Sequence, residues 1–216
     1  GVFLDFLNKP YLAYDIEPED IRIQKQDYLT LDLEYKQGRC VIGNPPFGVK
    51  NTLSVKFYKQ SLKFGDYISF ILPISQLNNN QQMYEFDLVY SEDLGKLTYT
   101  DRELHCCLNI YKRNFNGLNP KQNYKLKDVT IIEFRRNGTY KKPINFDFGM
   151  CSWGTIGKEV EYVGQYAQEN YFYVNNIKFK EQILKLCKET NWKELYPYIS
   201  TPKIQTWKIY KYIKEQ

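Results

Sequence analysis

The chain has 216 residues, enough for one α/β domain with a small appendage and too few for two large domains. With 43% hydrophobic and 17% aromatic residues, it is not expected to be disordered, fibrous or of low complexity. Its 30 Lys and Arg against 25 Asp and Glu give a net charge of +5, which suits an anionic partner without requiring one. The longest apolar run, about residues 67–74, is far shorter than the ~20 residues of a membrane-spanning helix, so we expect a soluble, cytoplasmic protein.

Short strand-like and helix-like runs alternate through the first half of the chain. In chain order, the sequence predicts a helix over 2–7, strands over 11–16, 21–27 and 39–42, a helix over 53–64 and a buried strand over 67–72. This alternation is typical of a parallel sheet covered by helices, and it predicts an α/β fold.

The second half of the chain is less regular. The sequence predicts strands over 86–90, 104–111 and 129–134, then helices over 178–190 and 203–215. The dipeptide Asn137-Gly138 predicts a hairpin turn leading into a strand after Thr139. A composition change near Pro143 divides the chain into an α/β part, residues 1–142, and a smaller aromatic-rich part, residues 143–216.

The cysteines and the single histidine do not form a metal-binding pattern. Five cysteines without regular spacing favour free thiols in a reducing compartment. His105 adjoins Cys106 and Cys107 on a predicted strand, where neighbouring side chains point to opposite faces and cannot all bind one ion. We therefore expect His105 to be a structural residue of a buried strand, and we expect no metal site.

The most informative residues are Asn44-Pro45-Pro46-Phe47, directly after the strand predicted over 39–42, because open α/β sheets bind ligands at such positions. Two consecutive prolines restrict the backbone and hold the Asn44 amide and nearby carbonyls toward the crevice. The Asn44 and Pro45 oxygens can accept the two N–H bonds of an amino group on a planar ring, and Phe47 can stack on that ring. Those bonds draw the nitrogen lone pair out of conjugation and toward an electrophile. The same residues also suit a plain strand-ending turn.

The motif resembles the Asn/Asp-Pro-Pro-aromatic motif of the S-adenosylmethionine (SAM)-dependent methyltransferases that modify amino groups. Residues 44–57 and 67–73 are similar to a bacterial and phage group of DNA adenine-N6 methyltransferases, and residues 106–111 resemble that group's later core strand. The resemblance covers about residues 1–113. It implies a Rossmann-like SAM-dependent methyltransferase sheet, whose first strand and glycine-rich loop would precede residue 1, and a small C-terminal substrate-recognition portion. It also implies that Asn44, Pro45, Pro46 and Phe47 are the catalytic residues.

The resemblance further implies a set of residues that bind SAM together with Asn44: Gly1, Phe3, Asp15, Ile16, Asp27 and Tyr28. Gly1 and Phe3 would form the end of the glycine-rich loop. Asp15 would bind the ribose hydroxyls and Ile16 would pack on the adenine ring. Asp27 with Tyr28 would bind the adenine amino group. From the residues alone, Asp15 equally suits a helix or turn cap.

The implied reaction transfers the methyl group of SAM to N6 of adenine in DNA. A duplex base would have to be flipped out of the stack, at a cost of a few kcal/mol. Five basic residues are candidate phosphate contacts, although a solvated turn also explains the first four: Arg135, Arg136, Lys141, Lys142 and Lys158. The family also suggests a cognate restriction endonuclease as partner. RNA adenine methylation and a catalytically silent nucleic-acid-binding subunit stay open as alternatives.

Overall fold

The computed structural model describes residues 1–48, 51–79, 83–99, 102–121, 123–138, 141–196 and 203–216. The chain forms two compact units, Gly1–Lys121 and Gln122–Gln216. The functional division predicted after residue 142 lies farther along the chain than the boundary between these two units, and it stays a prediction. Among the described residues, no helix has both the length and the apolar character needed to cross a bilayer.

The first unit contains six strands and one α-helix in its described residues. Three 3-10 helices cover Val2–Phe6, Tyr28–Thr30 and Ile74–Gln76. The strands and the helix are β1 (Tyr14–Asp15), β2 (Gln24–Lys25), β3 (Cys40–Gly43), α1 (Thr52–Ser61), β4 (Tyr67–Pro73), β5 (Phe86–Tyr99) and β6 (Arg102–Arg113). Strands β1 and β2 form a separate parallel pair, and the other four form a mixed sheet in the order β3-β4-β6-β5.

The core of the first unit lies between α1 and the mixed sheet. Side chains of β4 alternate in burial, and Ile68, Phe70 and Leu72 are the buried ones, as expected of a strand with one face in the core. On α1, the Tyr58 ring lies 5.8 Å from the Phe86 ring and packs edge-on against it. The strand predicted over 67–72 and the helix predicted over 53–64 are therefore confirmed.

The second unit contains four strands and three α-helices in its described residues. They are β7 (Val129–Arg135), β8 (Phe148–Cys151), β9 (Glu159–Val160), β10 (Gln168–Val174), α2 (Ile177–Glu189), α3 (Trp192–Leu195) and α4 (Thr206–Glu215). The sheet is antiparallel throughout, in the order β7-β10-β8-β9. Its core combines apolar residues of the sheet, such as Phe172, with Ile183, Trp192 and Ile209 from the helices.

The predicted Rossmann-like sheet is wrong. The described strands form three small sheets, and only the pairs β1–β2 and β3–β4 are parallel. A parallel sheet needs a crossover between successive strands, usually a helix, whereas antiparallel strands need only a short turn. Among the described residues of the first unit, α1 is the only α-helix between two strands. The predicted strands over 11–16 and 21–27 contract to two residues each, and β5 and β6 form a long antiparallel pair.

The hairpin predicted at Asn137-Gly138 is also wrong. Strand β7 pairs along its whole length with β10, from Val129 opposite Val174 to Arg135 opposite Gln168. The described residues 141–147 that follow the turn contain no strand. Thr139 itself lies outside the described residues.

Candidate functional site

The Asn44 motif lies at the carboxyl end of β3, beside the parallel strand β4. Gly43 ends β3 against the Phe70 ring, and Pro45 is buried behind it, while Asn44 is exposed to solvent. Burial alternates along the motif, so Pro45 lies in the interior and the Asn44 side chain faces solvent. An amide that is held at the end of a strand and is exposed to solvent is available to a ligand.

Two hydrogen bonds fix the motif to the start of α1. The Ser54 hydroxyl donates to the Pro46 carbonyl at 3.3 Å, and the Leu53 N–H donates to the Phe47 carbonyl at 3.3 Å. Gly48 follows with a φ of 66°, where a side chain would also collide with Leu53 at 2.8 Å. The described residues 46–48 are therefore held to the start of α1, and the position of Phe47 follows from those bonds.

Tyr99, at the end of β5, completes this cluster and was not predicted from the sequence. Its hydroxyl donates to the Asn44 amide oxygen at 3.2 Å, and its ring packs edge-on against Phe47 with centroids 6.3 Å apart. The hydroxyl oxygen also lies 3.7 Å from the Cys106 sulfur. Burial raises the pKa of Tyr99, so this hydroxyl is protonated at neutral pH. The amide oxygen therefore accepts from a protonated hydroxyl whose ring packs against Phe47.

The residues predicted for the ribose and adenine of SAM at the end of β1 face solvent. The Asp15 carboxylate accepts the Glu17 N–H at 2.9 Å, which is the turn-capping role considered as the alternative from the sequence. Ile16 is 63% exposed. An exposed carboxylate beside an exposed apolar side chain suits ribose hydroxyls and a base, but Asp15 already has a structural partner.

Asp27 and Tyr28 are engaged within the first unit. Asp27 caps the 3-10 helix Tyr28–Thr30 by accepting the Leu29 N–H at 2.9 Å. The Tyr28 ring stacks on Phe57 of α1 at 5.1 Å, and its hydroxyl lies 2.6 Å from the Ser61 hydroxyl. Burial raises the pKa of Tyr28 to about 12. This face of the Tyr28 ring is therefore occupied by the protein itself.

Gly1 and Phe3, the residues predicted to end the glycine-rich loop, lie at the start of the first 3-10 helix. The Gly1 carbonyl accepts the Leu4 N–H at 2.9 Å and starts the 3-10 helix, and Phe3 is 44% exposed. Gly1 lies so close to the Asp20 carboxylate that a side chain at this position would collide with it. The structure thus places the Asp20 carboxylate next to Gly1, a contact that the sequence did not indicate.

The predicted SAM-binding residues do not fit the cofactor as a set. Asp27 and Tyr28 are bound to their own unit, and Asp15 and Ile16 lie on a strand pair that is separate from the sheet bearing Asn44. Two surface cavities of about 270 and 280 Å³ lie against α2 and against α1. Neither is lined by a predicted site residue. We therefore derive no step of the chemistry from these positions.

The five predicted phosphate contacts do not form one patch. The Arg135 side chain lies 2.6 Å from a Glu133 carboxylate oxygen, which the Lys203 ammonium approaches at 2.7 Å. Lys158 precedes β9, at the edge of the sheet opposite β7, which is about 14 Å away at ~4.8 Å per strand. Three exposed cations flank residues 137–140 and keep the predicted role open: Arg136, Lys141 and Lys142.

The cysteines and His105 have structural surroundings. All five cysteines are free, and four are buried. His105 lies on β6 as predicted, where its Nε2 is 2.6 Å from the Asp93 carboxylate of β5. Within the described part of the chain, no group of three or more His, Cys, Asp and Glu side chains is arranged to hold a metal ion.

No protein-family model, curated protein or solved structure matches the chain. Any function therefore has to be argued from the chain's own residues. The motif of Asn44 and Phe47, which Tyr99 joins in the structure, is the predicted site whose geometry can still bind a substrate.

Proposed function

We propose that this protein is a SAM-dependent methyltransferase that modifies the N6 amino group of adenine in DNA. The observation that carries the proposal is the exposed Asn44 amide at the end of β3, with its oxygen bonded to the Tyr99 hydroxyl and the Tyr99 ring packed against Phe47. The proposal rests on this cluster and on the resemblance of its motif. It does not rest on a Rossmann-like sheet.

The chemistry of the cluster suits an aromatic amine. An amide oxygen has two lone pairs, so one can accept from Tyr99 while the other accepts from a substrate N–H. The Leu53 N–H bond holds the Phe47 backbone, and the partly exposed Phe47 ring offers a stacking surface to a planar base. In the described part of the cluster, the side chains of Asn44, Phe47 and Tyr99 carry no charge, which agrees with a nucleophile that is a neutral amine.

Accepting the N–H bonds of adenine changes the nitrogen's reactivity. The N6 lone pair is conjugated with the ring in free adenine, and hydrogen bonds that pyramidalise the amine return electron density to nitrogen. SAM, if bound, would supply an electrophilic methyl group, with the carbon–sulfur pair staying on sulfur and one N6 proton passing to water as the carbon–nitrogen bond formed. Asn44 holds the amine, and Phe47 holds the ring plane.

The proposal also includes a location and a partner. Free thiols are typical of reducing compartments, so the five free cysteines support a cytoplasmic protein. The exposed cations Arg136, Lys141 and Lys142, with a net charge of +5 for the chain, support an anionic polymer as substrate. A cognate restriction endonuclease follows from the resemblance alone.

The test is methyl transfer from tritiated SAM to duplex DNA, single-stranded DNA and total RNA, using the protein with any sequence that precedes Gly1. We expect the duplex to be the best substrate and Asn44→Ala to lower the rate by about 100-fold, the usual effect of losing one essential polar contact in a transition state. Asn8→Ala, at an exposed position of the same unit, is the matched control and should match the wild type. Preference for RNA would shift the proposal to an RNA adenine methyltransferase. Unchanged activity of Asn44→Ala would refute the assigned chemistry.

A second function is favoured by one observation. Asp27 and Tyr28, two of the residues implied in SAM binding, are instead engaged in a cap and in packing against α1. This is the arrangement expected of a nucleic-acid-binding subunit that no longer binds the cofactor. Calorimetry distinguishes the two functions, because the silent subunit binds DNA and shows no heat with SAM.

A further inference from the structure

The Asn44 amide has a property that makes its orientation critical. Its oxygen and its NH₂ group are nearly equal in shape, but only the oxygen can accept a substrate N–H. A rotation of 180° about the last side-chain bond would present two donors to the amine and cancel the attraction. Asn44 is exposed, so burial does not select between the two orientations.

Tyr99 is the neighbour that can select between them. Its hydroxyl donates to the amide oxygen at 3.2 Å. A tyrosine hydroxyl can also accept, and would then bind the NH₂ group equally well if nothing set its direction. The selection therefore depends on what occupies the acceptor side of the Tyr99 oxygen.

Cys106 supplies that second contact from inside the protein. Its sulfur is 3.7 Å from the Tyr99 oxygen, and its side chain is fully buried on β6. Burial raises the pKa of the Cys106 thiol, so the thiol is protonated at neutral pH. A thiol that donates to the Tyr99 oxygen leaves the Tyr99 proton to point at Asn44, and successive bonds in one direction strengthen each other.

We propose that Tyr99 is a positioning residue that, together with Cys106, fixes the amide oxygen of Asn44 toward the substrate amine. This inference rests on the proposed function of Asn44. In this proposal the orientation of the Asn44 amide is set by the direction of the hydrogen bonds, which run from the Cys106 thiol through the Tyr99 hydroxyl to the Asn44 oxygen. The Tyr99 ring is not needed for it, so the hydroxyl can be tested separately from the ring.

The decisive comparison is Tyr99→Phe in two backgrounds. The substitution keeps the ring against Phe47 and removes only the hydroxyl, and we expect kcat for methyl transfer to fall about tenfold with KM changing less than twofold. In an Asn44→Asp background both terminal atoms are acceptors, so orientation no longer matters and Tyr99→Phe should change kcat less than twofold. A packing role would instead lower kcat equally in both backgrounds, and this outcome overturns the inference.

The control and a readout independent of activity complete the test. Tyr90→Phe removes a hydroxyl of the same strand that binds Glu92, and it should leave kcat unchanged. In ¹⁵N relaxation measurements, the side-chain amide of Asn44 should be ordered in the wild type and mobile in Tyr99→Phe. If the amide stays equally ordered, the inference is wrong whatever the activity. Unchanged activity of Asn44→Ala, by contrast, refutes the proposed function.

Discussion

Asp66 is a buried acid that accepts several hydrogen bonds in the first unit, and replacing it by alanine tests that network. It is 3% exposed and accepts three hydrogen bonds: from the Tyr35 hydroxyl at 2.7 Å, the Gly38 N–H at 2.7 Å and the Arg113 guanidinium at 3.2 Å. Arg113 also donates to the Gly65 carbonyl at 2.8 Å. The carboxylate thus joins the segment before β3 to β6, and Arg113 extends this network to the segment between α1 and β4.

The expected cost of Asp66→Ala follows from these bonds. Two bonds from neutral donors contribute about 1 kcal/mol each, and one from a charged donor about 1.5–3 kcal/mol. The substitution also leaves Arg113, whose side chain is only 22% exposed, without its carboxylate. We therefore expect the free energy of unfolding of the first unit to fall by about 3–5 kcal/mol, the usual cost of removing one member of a buried ion pair.

The pH dependence of this loss has a definite sign. Burial raises the pKa of Asp66, but the bonds from Gly38, Tyr35 and Arg113 together outweigh it, and the pKa is lowered below its ordinary value. A lowered carboxyl pKa adds stability that is complete above the unfolded value of about 3.9 and is lost as the pH falls further through the folded value. The difference between wild type and Asp66→Ala should therefore be constant near neutral pH and shrink below about pH 4.

The assay has to report on the first unit alone. All three tryptophans lie within Gln122–Gln216, so their fluorescence reports on the second unit. Hydrogen exchange in increasing urea, measured by mass spectrometry on peptides from residues 52–61 and 67–73, reports on α1 and β4. Asp32→Ala, at an exposed acid, is the matched control and should change stability by no more than about 0.5 kcal/mol. If Asp66→Ala is no more damaging than Asp32→Ala, the described network does not hold the unit together.

Two further predictions concern a pair of loop glycines and the thiols. Gly154→Ala should lower the free energy of unfolding by about 1–2 kcal/mol, because φ is 75° there and the space around it is open. Gly157→Ala should lower it by at least about 1 kcal/mol more, because φ is 92° and the new methyl would also lie 2.8 Å from Trp192. Urea unfolding followed by tryptophan fluorescence measures both, and equal costs would contradict the contact. At pH 8 a thiol reagent should modify the exposed Cys40 in the native protein, more slowly than a free thiol because burial also raises its pKa. It should modify Cys107, whose pKa is raised by burial to about 12, only in urea. Rapid native labelling of Cys107 would contradict its burial.

The elements that could be predicted from sequence are those with a clear burial pattern and clear ends. Strand β4 alternates buried and partly exposed side chains between Gly65 and Pro73, and α1 ends shortly before Gly65. The apolar spacing located this helix, although Ser54, Gln60 and Ser61 are buried on it together with Tyr58. The same reasoning overestimated the strands near Ile16 and Ile21. These residues are 63% and 102% exposed, so no apolar contact extends the strands beyond two residues.

The remaining features depend on contacts between distant residues. Strand β7 pairs with β10, so the local turn signal at Asn137-Gly138 did not determine its partner. Strand β8 is buried on both faces, and its short Phe-Gly-Met-Cys sequence shows no alternation. Asn44 was identified from its motif, but Tyr99 is 55 residues away along the chain and reaches it only because β5 extends to fourteen residues.

The central claim is that Asn44 directs a methyl group to N6 of adenine. The most direct measurement is nucleoside mass spectrometry of duplex DNA digested after incubation with SAM and either the wild type or Asn44→Ala. We predict N6-methyldeoxyadenosine with the wild type and at most about one hundredth as much with Asn44→Ala. A methyl group on cytosine, or equal amounts of N6-methyldeoxyadenosine with both proteins, would contradict the claim.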